Sequence, residues 1–522
     1  MIKEISRRKC LRLWLCKPEY MERTKWENRF VLLRFRKKNY MMFLKDLKRF
    51  KMERLYDKLK AYSESDFYAF HMPGHKRNKA LLGIELPYDL DITEIDGFDD
   101  LHHADGILKE EQERAARVFG AEESHFLVNG STAGILSAVM GCTHRGDKIL
   151  VARHCHKSIY HAIYMNGLVP RYVYPEFDIS MHMNGEIRKE DVAKALAAEP
   201  DIKAVVIVSP NYDGVVSDVK GIAEVAHSYR IPLIVDEAHG PHFGFHPAFP
   251  GRANDLGADV VINSLHKTLP SLTQTAILHI NGKIVNRRRI KKYLDMLQSS
   301  SPSYIFMASL DACVDFVDGK CENAFELYVE RLQKFREELE PLQHLQILRT
   351  EHYDISKVVI STANANITSP ELADRLRKEY HLEMEMTGGT YVLAMTTVAD
   401  TQEGLDRLKA ALLEIDGQLE AKTAVSGSIE ISGEFPRLEQ YFTPQEAADR
   451  EEDGEAEEIP WKESEGHISL EYAYLYPPGS PVIVPGERIS REAVELLRYY
   501  ETQNLQIEGI QTEGKIKVWK HE

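Results

Sequence analysis

ADVVINSLHKTLPSLTQ, residues 258–274, decides the fold. Its first half is a continuous apolar run, the mark of a strand covered on both faces. The run stops in Ser264, His266 and Lys267. Burying a lysine is costly unless something compensates its charge, so the reading turns on what else reaches the same edge. IPLIVDEAHG (231–240) is a second apolar strand, ending in Asp236, Glu237 and His239. SHFLVNGSTAGILSAVMGC (124–142) reads as a strand, a Gly-Ser-Thr turn and a helix. DKILVARHCHKSIYHAIYMNG (147–167) repeats that pattern, and IKAVVIVSPNYDG (202–214) begins it again. Strands alternating with helices predict an α/β fold with a mostly parallel sheet, whose strand ends gather at one ligand-binding edge.

Three kinds of group meet at that edge. In NGSTAG (129–134), Gly130 permits the turn, and Ser131 and Thr132 open a helix whose free N–H groups favour an anion. Alone, this is an ordinary helix cap, and it lacks the spacing and lysine of a Walker loop. Asp236 ends one strand and Lys267 follows another. A phosphate cradle, an aspartate and a lysine at one edge fit pyridoxal 5'-phosphate: the helix takes the phosphate, Asp236 the pyridine nitrogen and Lys267 the Schiff base. His156 in RHCHKS (153–158) is a candidate to stack on the ring. The histidines after Asp236 (His239, His242, His246) lack a defined metal-ligand spacing, so no metal is expected.

The 522 residues are enough for two or three domains. Residues 1–50 hold 16 Lys/Arg against five Asp/Glu, in a chain whose net charge is −15. So acidic a remainder argues against nucleic acid as a partner. The basic stretch 1–51 is expected to be a loosely packed extension or to precede a true start at Met41, Met42 or Met52. Residues 52–345 are expected to form the cofactor-binding major domain, and 346–522 a smaller α+β domain. Within the latter, eight acidic residues and one basic one between Glu446 and Glu458 read as a solvated linker, 446–466. The six cysteines form no CxxC pair, and no apolar run is long enough for a membrane helix; a cytoplasmic protein is expected.

The chain resembles the Orn/Lys/Arg decarboxylase class-I family, within the fold type I pyridoxal-phosphate enzymes. The motifs that carry the resemblance are HMPGHK (71–76), the stretch from Thr93 to Thr132, HCHKS (154–158), SPNYDG (209–214), DEAHGPHF (236–243), SLHKTL (264–269), SSSPSY (299–304), and YPPGSP with PGE (476–487). They occur in family order. The resemblance implies a decarboxylase acting on arginine, or else lysine or ornithine, to yield a polyamine-pathway amine. It makes Lys267 the Schiff-base lysine, Asp236 the partner of the pyridine nitrogen and His156 the stacking ring. Ser131, Thr132 and Ser264 bind phosphate, Ala238 packs under the ring and His239 sits beside it. His266 contacts the phosphate or reprotonates the substrate carbon. Ser300 reaches the cofactor phosphate of a neighbouring subunit, which implies a homodimer or higher homo-oligomer with shared sites. Glu471 and Glu385 are candidates to receive the distal cation of the substrate. Residues 1–51 are too few for the receiver-like domain of the longer members, so the chain resembles the shorter Gram-positive type.

Two other readings remain at this stage. An aminotransferase or another lyase of the same fold would carry an arginine clamp for the substrate carboxylate. A non-catalytic homologue would have no need of Lys267, Asp236 and the phosphate hydroxyls together.

Overall fold

The apolar strands assemble into one seven-stranded sheet: β1 (Glu123–Leu127), β2 (Lys148–Ala152), β3 (Val169–Val173), β4 (Val205–Val208), β5 (Leu233–Asp236), β6 (Val260–Asn263) and β7 (Ala276–Ile280). Their order is β1–β7–β6–β5–β4–β2–β3. From β6 to β3 every pairing is parallel; β7 alone runs the other way, antiparallel to both β6 and β1. An antiparallel neighbour needs only a short connection, whereas a parallel one needs a crossover. The connection from β6 to β7 is residues 264–275, and Lys267 sits in it. The computed structural model describes residues 54–81, 83–178, 181, 183–348, 352–422, 435–475, 479–503 and 505–520. The basic stretch 1–51 lies outside them.

β4, β5 and β6 are buried along their whole length. Val206, Ile207, Ile234, Val235, Val261 and Ile262 are at most 1 % exposed and belong to one core cluster. Full burial of such a side chain contributes about 1.5–3 kcal/mol, which holds the strand tips in register. Helix α1 (Gly130–Cys142) lies against this sheet. A Cβ on Gly134 would stand 2.6 Å from Leu127 Cδ1 and 3.3 Å from Ile262 Cγ2, so a larger residue would have to displace the Leu127 side chain for α1 to come this close. Helix α2 (Lys157–Met165) follows β2 by way of the turn 153–156.

Helix α3 (Glu322–Glu338) leads to a four-stranded antiparallel sheet built around β8 (Lys357–Ser361) and β9 (Tyr391–Met395). Beyond it, β10 (Ala456–Pro460) pairs with β11 (Lys515–Trp519). The expected linker 446–466 is therefore corrected. Pro444–Glu452 is a helix with a capping box between Thr443 and Glu446, and β10 continues the ordered chain. Its acidic side chains meet cations that a local charge count does not see: Lys517 Nζ is 2.5 Å from Glu451 Oε1, and Lys515 faces Glu458. Among the described residues, no helix is long and apolar enough to cross a membrane.

Candidate active site

The parallel strands bring their C-terminal tips to one cavity of about 430 Å³. Small-molecule sites span about 300–1,000 Å³. Gly130, Ser131 and Thr132 line one end of it, at the N-terminus of α1. Gly130 has a φ of +73°, which lets the chain turn from β1 into the helix. The free N–H groups of that first turn, with two hydroxyls, make an anion site. Ser264 is fully buried just after β6, and its Oγ has no partner among the described residues.

Lys267 Nζ lies 2.8 Å from His239 Nε2. Burial holds the lysine below its ordinary pKa, against the attraction of Asp236 and Glu385. His239 is pushed well down by burial and by the charges of Lys267 and Lys357. Burial raises the Asp236 carboxyl, while Lys267 and the N–H of Ala238, 3.1 Å from Oδ1, draw it back. His156 caps α2, its Nδ1 accepting from Ser158 N at 3.2 Å. Burial and then Lys267 lower it to about 4, so its ring is neutral at pH 7. His266 Nδ1 is 2.9 Å from the carbonyl of Thr275, and the ring lines the cavity.

Of the residues expected from sequence, Ser131, Thr132, His156, Asp236, Ala238, His239, His266 and Lys267 share this cavity, with Ser264 buried beside Leu265. Ser300 is exposed; its neighbour Ser299 donates to Asn129 Oδ1 at 3.3 Å. Glu385 is exposed outside the lining and accepts from the Tyr212 hydroxyl. Glu471 is corrected: it is absent from the lining, and its carboxylate accepts from the backbone N–H of Lys517 at 2.9 Å and of Gln511 at 3.4 Å. It fastens β11.

Sequence reasoning passed over His154, Asn184, Asn211, Tyr212, Asp213, Thr273, Gln274 and Ser480, all of which line the cavity. Most of them lie in motifs already quoted, SPNYDG above all, so the motif was a signal without an assigned role. Asp213 is 5 % exposed; its Oδ1 accepts from Tyr391 Oη at 2.5 Å, and its Oδ2 has no partner among the described residues. Burial raises its pKa to about 6. Gln274 has a φ of +81° and donates to Val128 O at 2.6 Å.

Pyridoxal 5'-phosphate fits these residues. The orphaned Ser264 hydroxyl and the start of α1 suit its phosphate, Asp236 its ring nitrogen, and Lys267 its aldehyde.

Two family models match the chain: Orn/Lys/Arg decarboxylase, major domain, over residues 53–421, and Orn/Lys/Arg decarboxylase, C-terminal domain, over residues 433–514. An arginine decarboxylase of Bacillus subtilis is 33 % identical over 471 residues, 87 % of this chain and 95 % of that protein. An arginine decarboxylase of Bacillus anthracis is 32 % identical over 487 residues, 89 % of this chain and 97 % of that one. Among solved structures, the lysine decarboxylase of Francisella novicida superposes with a TM-score of 0.76 at 20 % identity, covering 90 % of this chain and 81 % of its own. Sequence and fold agree, and the chain belongs to the Orn/Lys/Arg decarboxylase family.

Proposed function

We propose that the protein is a pyridoxal-phosphate-dependent decarboxylase of basic amino acids that prefers arginine over lysine and ornithine. The preference rests on the two Bacillus relatives named as arginine decarboxylases. The observation that carries the reaction is the meeting of Lys267, His239 and Asp236 with the start of α1 in one cavity.

When bound, the cofactor supplies an electron sink for the pair left at Cα as carbon dioxide departs. The chain supplies the rest. Ser131, Thr132, Ser264 and the N–H groups of α1 hold the phosphate. Asp236 would keep a proton on the ring nitrogen, and His156 and Ala238 would hold the ring. Lys267 and His239 hold and return a proton at the reacting carbon, with His266 steadying the phosphate side. Asp213 receives the distal cation of the substrate through its Oδ2, while exposed Glu385 adds negative charge behind Tyr212. Among the described residues lining the cavity there is no arginine to clamp a carboxylate as an aminotransferase would.

The protein works as a homodimer or larger homo-oligomer in the cytoplasm, with residues 52–345 holding the cofactor and 346–522 covering it. Ser300 serves the partner's site. Phe67, Tyr68, Phe70 and Met72 are each at least 64 % exposed, an apolar stretch that suits a second copy of the chain. The described cysteines are free, as a reducing compartment requires.

The test is release of carbon dioxide and amine from arginine, lysine and ornithine by the yellow, cofactor-loaded protein. A protein that stays colourless with added cofactor, or that transfers the amino group to a keto acid instead, sinks the reading. Mixing Lys267→Ala and Ser300→Ala subunits tests the shared site: activity returns on mixing only if Ser300 acts across the interface.

A further inference from the structure

Two stretches in which Arg153, His154, Ser480 and Glu487 have so far had no role, the turn RHCH (153–156) and the distant SPVIVPGE (480–487), lock together in the structure. Arg153 follows β2 directly. Its Nη2 donates to Glu487 Oε2 at 2.8 Å and to Val482 O at 3.0 Å. Both side chains of this pair are completely buried. Glu487 Oε2 also accepts from Val484 N at 2.9 Å, and Tyr160 Oη donates to Arg153 O at 2.6 Å. The Arg153 guanidinium lies 4.7 Å from the centre of the Tyr172 ring. One residue on, His154 O accepts from Ser480 Oγ at 2.8 Å, and both His154 and Ser480 line the cavity. Gly486 (φ +91°) is required where it stands: a Cβ there would be 2.2 Å from Phe442 O. That close approach sets Glu487 under Arg153.

The pair is poorly suited to simple stabilisation. Arg153 Nε and Nη1 and Glu487 Oε1 are buried without hydrogen-bond partners among the described residues. A buried ion pair of this kind can often be exchanged for packed apolar side chains without loss of stability. What it supplies in return is a fixed direction. The turn it holds leads, three residues after Arg153, to His156, which caps α2 and lines the cavity. We propose that residues 480–487 of the C-terminal domain are a positioning strap for the turn 153–156, so that this domain sets how the ring-facing histidine is held and how tightly cofactor binds. Ser480 and Glu487 are positioning residues, acting on the cofactor through His154 and Arg153. The proposal rests on the function given above, but it fails separately.

The experiment titrates pyridoxal 5'-phosphate into cofactor-free protein, following absorbance, with melting temperature and kcat and KM for arginine measured beside it. The paired replacement Arg153→Met with Glu487→Leu is expected to melt within a few degrees of the wild type. It should bind cofactor about tenfold more weakly, as loss of supporting contacts to a site commonly does, with a shifted absorbance band and a lowered kcat. Ser480→Ala should weaken cofactor several-fold, and Ser480→Thr, which keeps the hydroxyl, should restore it. Wild-type cofactor affinity, absorbance and kcat in the paired variant overturn the strap. If that variant does not fold, Ser480→Ala decides: wild-type affinity overturns the proposal, and weakened binding rescued by threonine supports it. A wild-type protein that binds no cofactor defeats the assigned function instead.

Discussion

Two lysines are drawn out of water in this molecule, and only one of them announces itself. Lys267 follows β6, is partly buried, and bonds His239 at 2.8 Å on the wall of the cavity. Lys357 begins β8, is 0 % exposed, and its Nζ has no hydrogen-bond partner among the described residues. Burial lowers both. For Lys357 it does so to about 8, against Asp354, with Lys267 lowering it further and Glu385 and Asp213 opposing. Lys357 packs behind the cavity, where a Cβ on Gly214 would stand 2.7 Å from its Cγ. Burial of an amine therefore does not make a site. Lys267 has open space, a neutral histidine and an aspartate around it; Lys357 has only charges at a distance. The first can exchange partners with a ligand, and the second can only set the local potential.

The sharpest way to break this comparison is to delete each amine. Lys267→Ala should lose roughly a thousandfold or more in kcat/KM, since it removes the amine proposed to bond the cofactor, and its bound-cofactor absorbance should vanish. Lys357→Met should keep that absorbance. Loss of colour in Lys357→Met, or retained turnover in Lys267→Ala, would exchange the roles of the two lysines.

Why Lys267 was legible and Lys357 was not follows from the same contrast. Apolar runs ending in polar residues show where parallel strands stop, and parallel strands stop at one edge. Lys267, Asp236 and Thr132 could thus be gathered from spacing alone. Lys357 stands in SKVVIS, where a lysine before an apolar run reads as a solvated strand end. Its burial is decided by Asp354, Tyr353 and the 213–214 turn, which the fold brings to it from elsewhere. Asp213 was hidden in the same way, and the acidic stretch 446–458 was misread because Lys515 and Lys517 arrive from the far end of the chain.

The next effect is on stability. Lys357 titrates near 8 when folded and at an ordinary lysine value of about 10.4 when unfolded. Below pH 8 both states carry the proton, and the buried charge weakens the fold in full. Between pH 8 and about 10 the unfolded chain holds more protons, so stability rises with pH, by up to about 3 kcal/mol in all. Urea unfolding at pH 7.5 and 9.5 should show that rise in the wild type and a flatter response in Lys357→Met. Equal slopes would mean that Lys357 is already solvated or paired.

His239 feels both lysines and bonds only one. His239→Gln keeps a polar side chain but not the imidazole proton site. It should lower kcat about a hundredfold, the lower range of lost acid–base catalysis, with little change in KM. A rise in KM without loss of kcat would make His239 a binding group and leave proton return to Lys267 alone.

Glu385 marks the smallest effect and the finest cut. It acts electrostatically on both lysines, yet it is exposed and only touches the cavity through Tyr212. Exposed charges are screened and are worth about 0–1 kcal/mol. Glu385→Gln should therefore change KM for arginine by no more than about threefold, and the change should fade with added salt. Asp213→Asn, which neutralises the buried carboxylate on the cavity wall, should raise KM for arginine at least tenfold while cofactor binding holds. If the two results come out reversed, the distal cation of the substrate belongs to the outer glutamate. Asp213 would then serve Lys357, and the second lysine would be the reason that carboxylate is there.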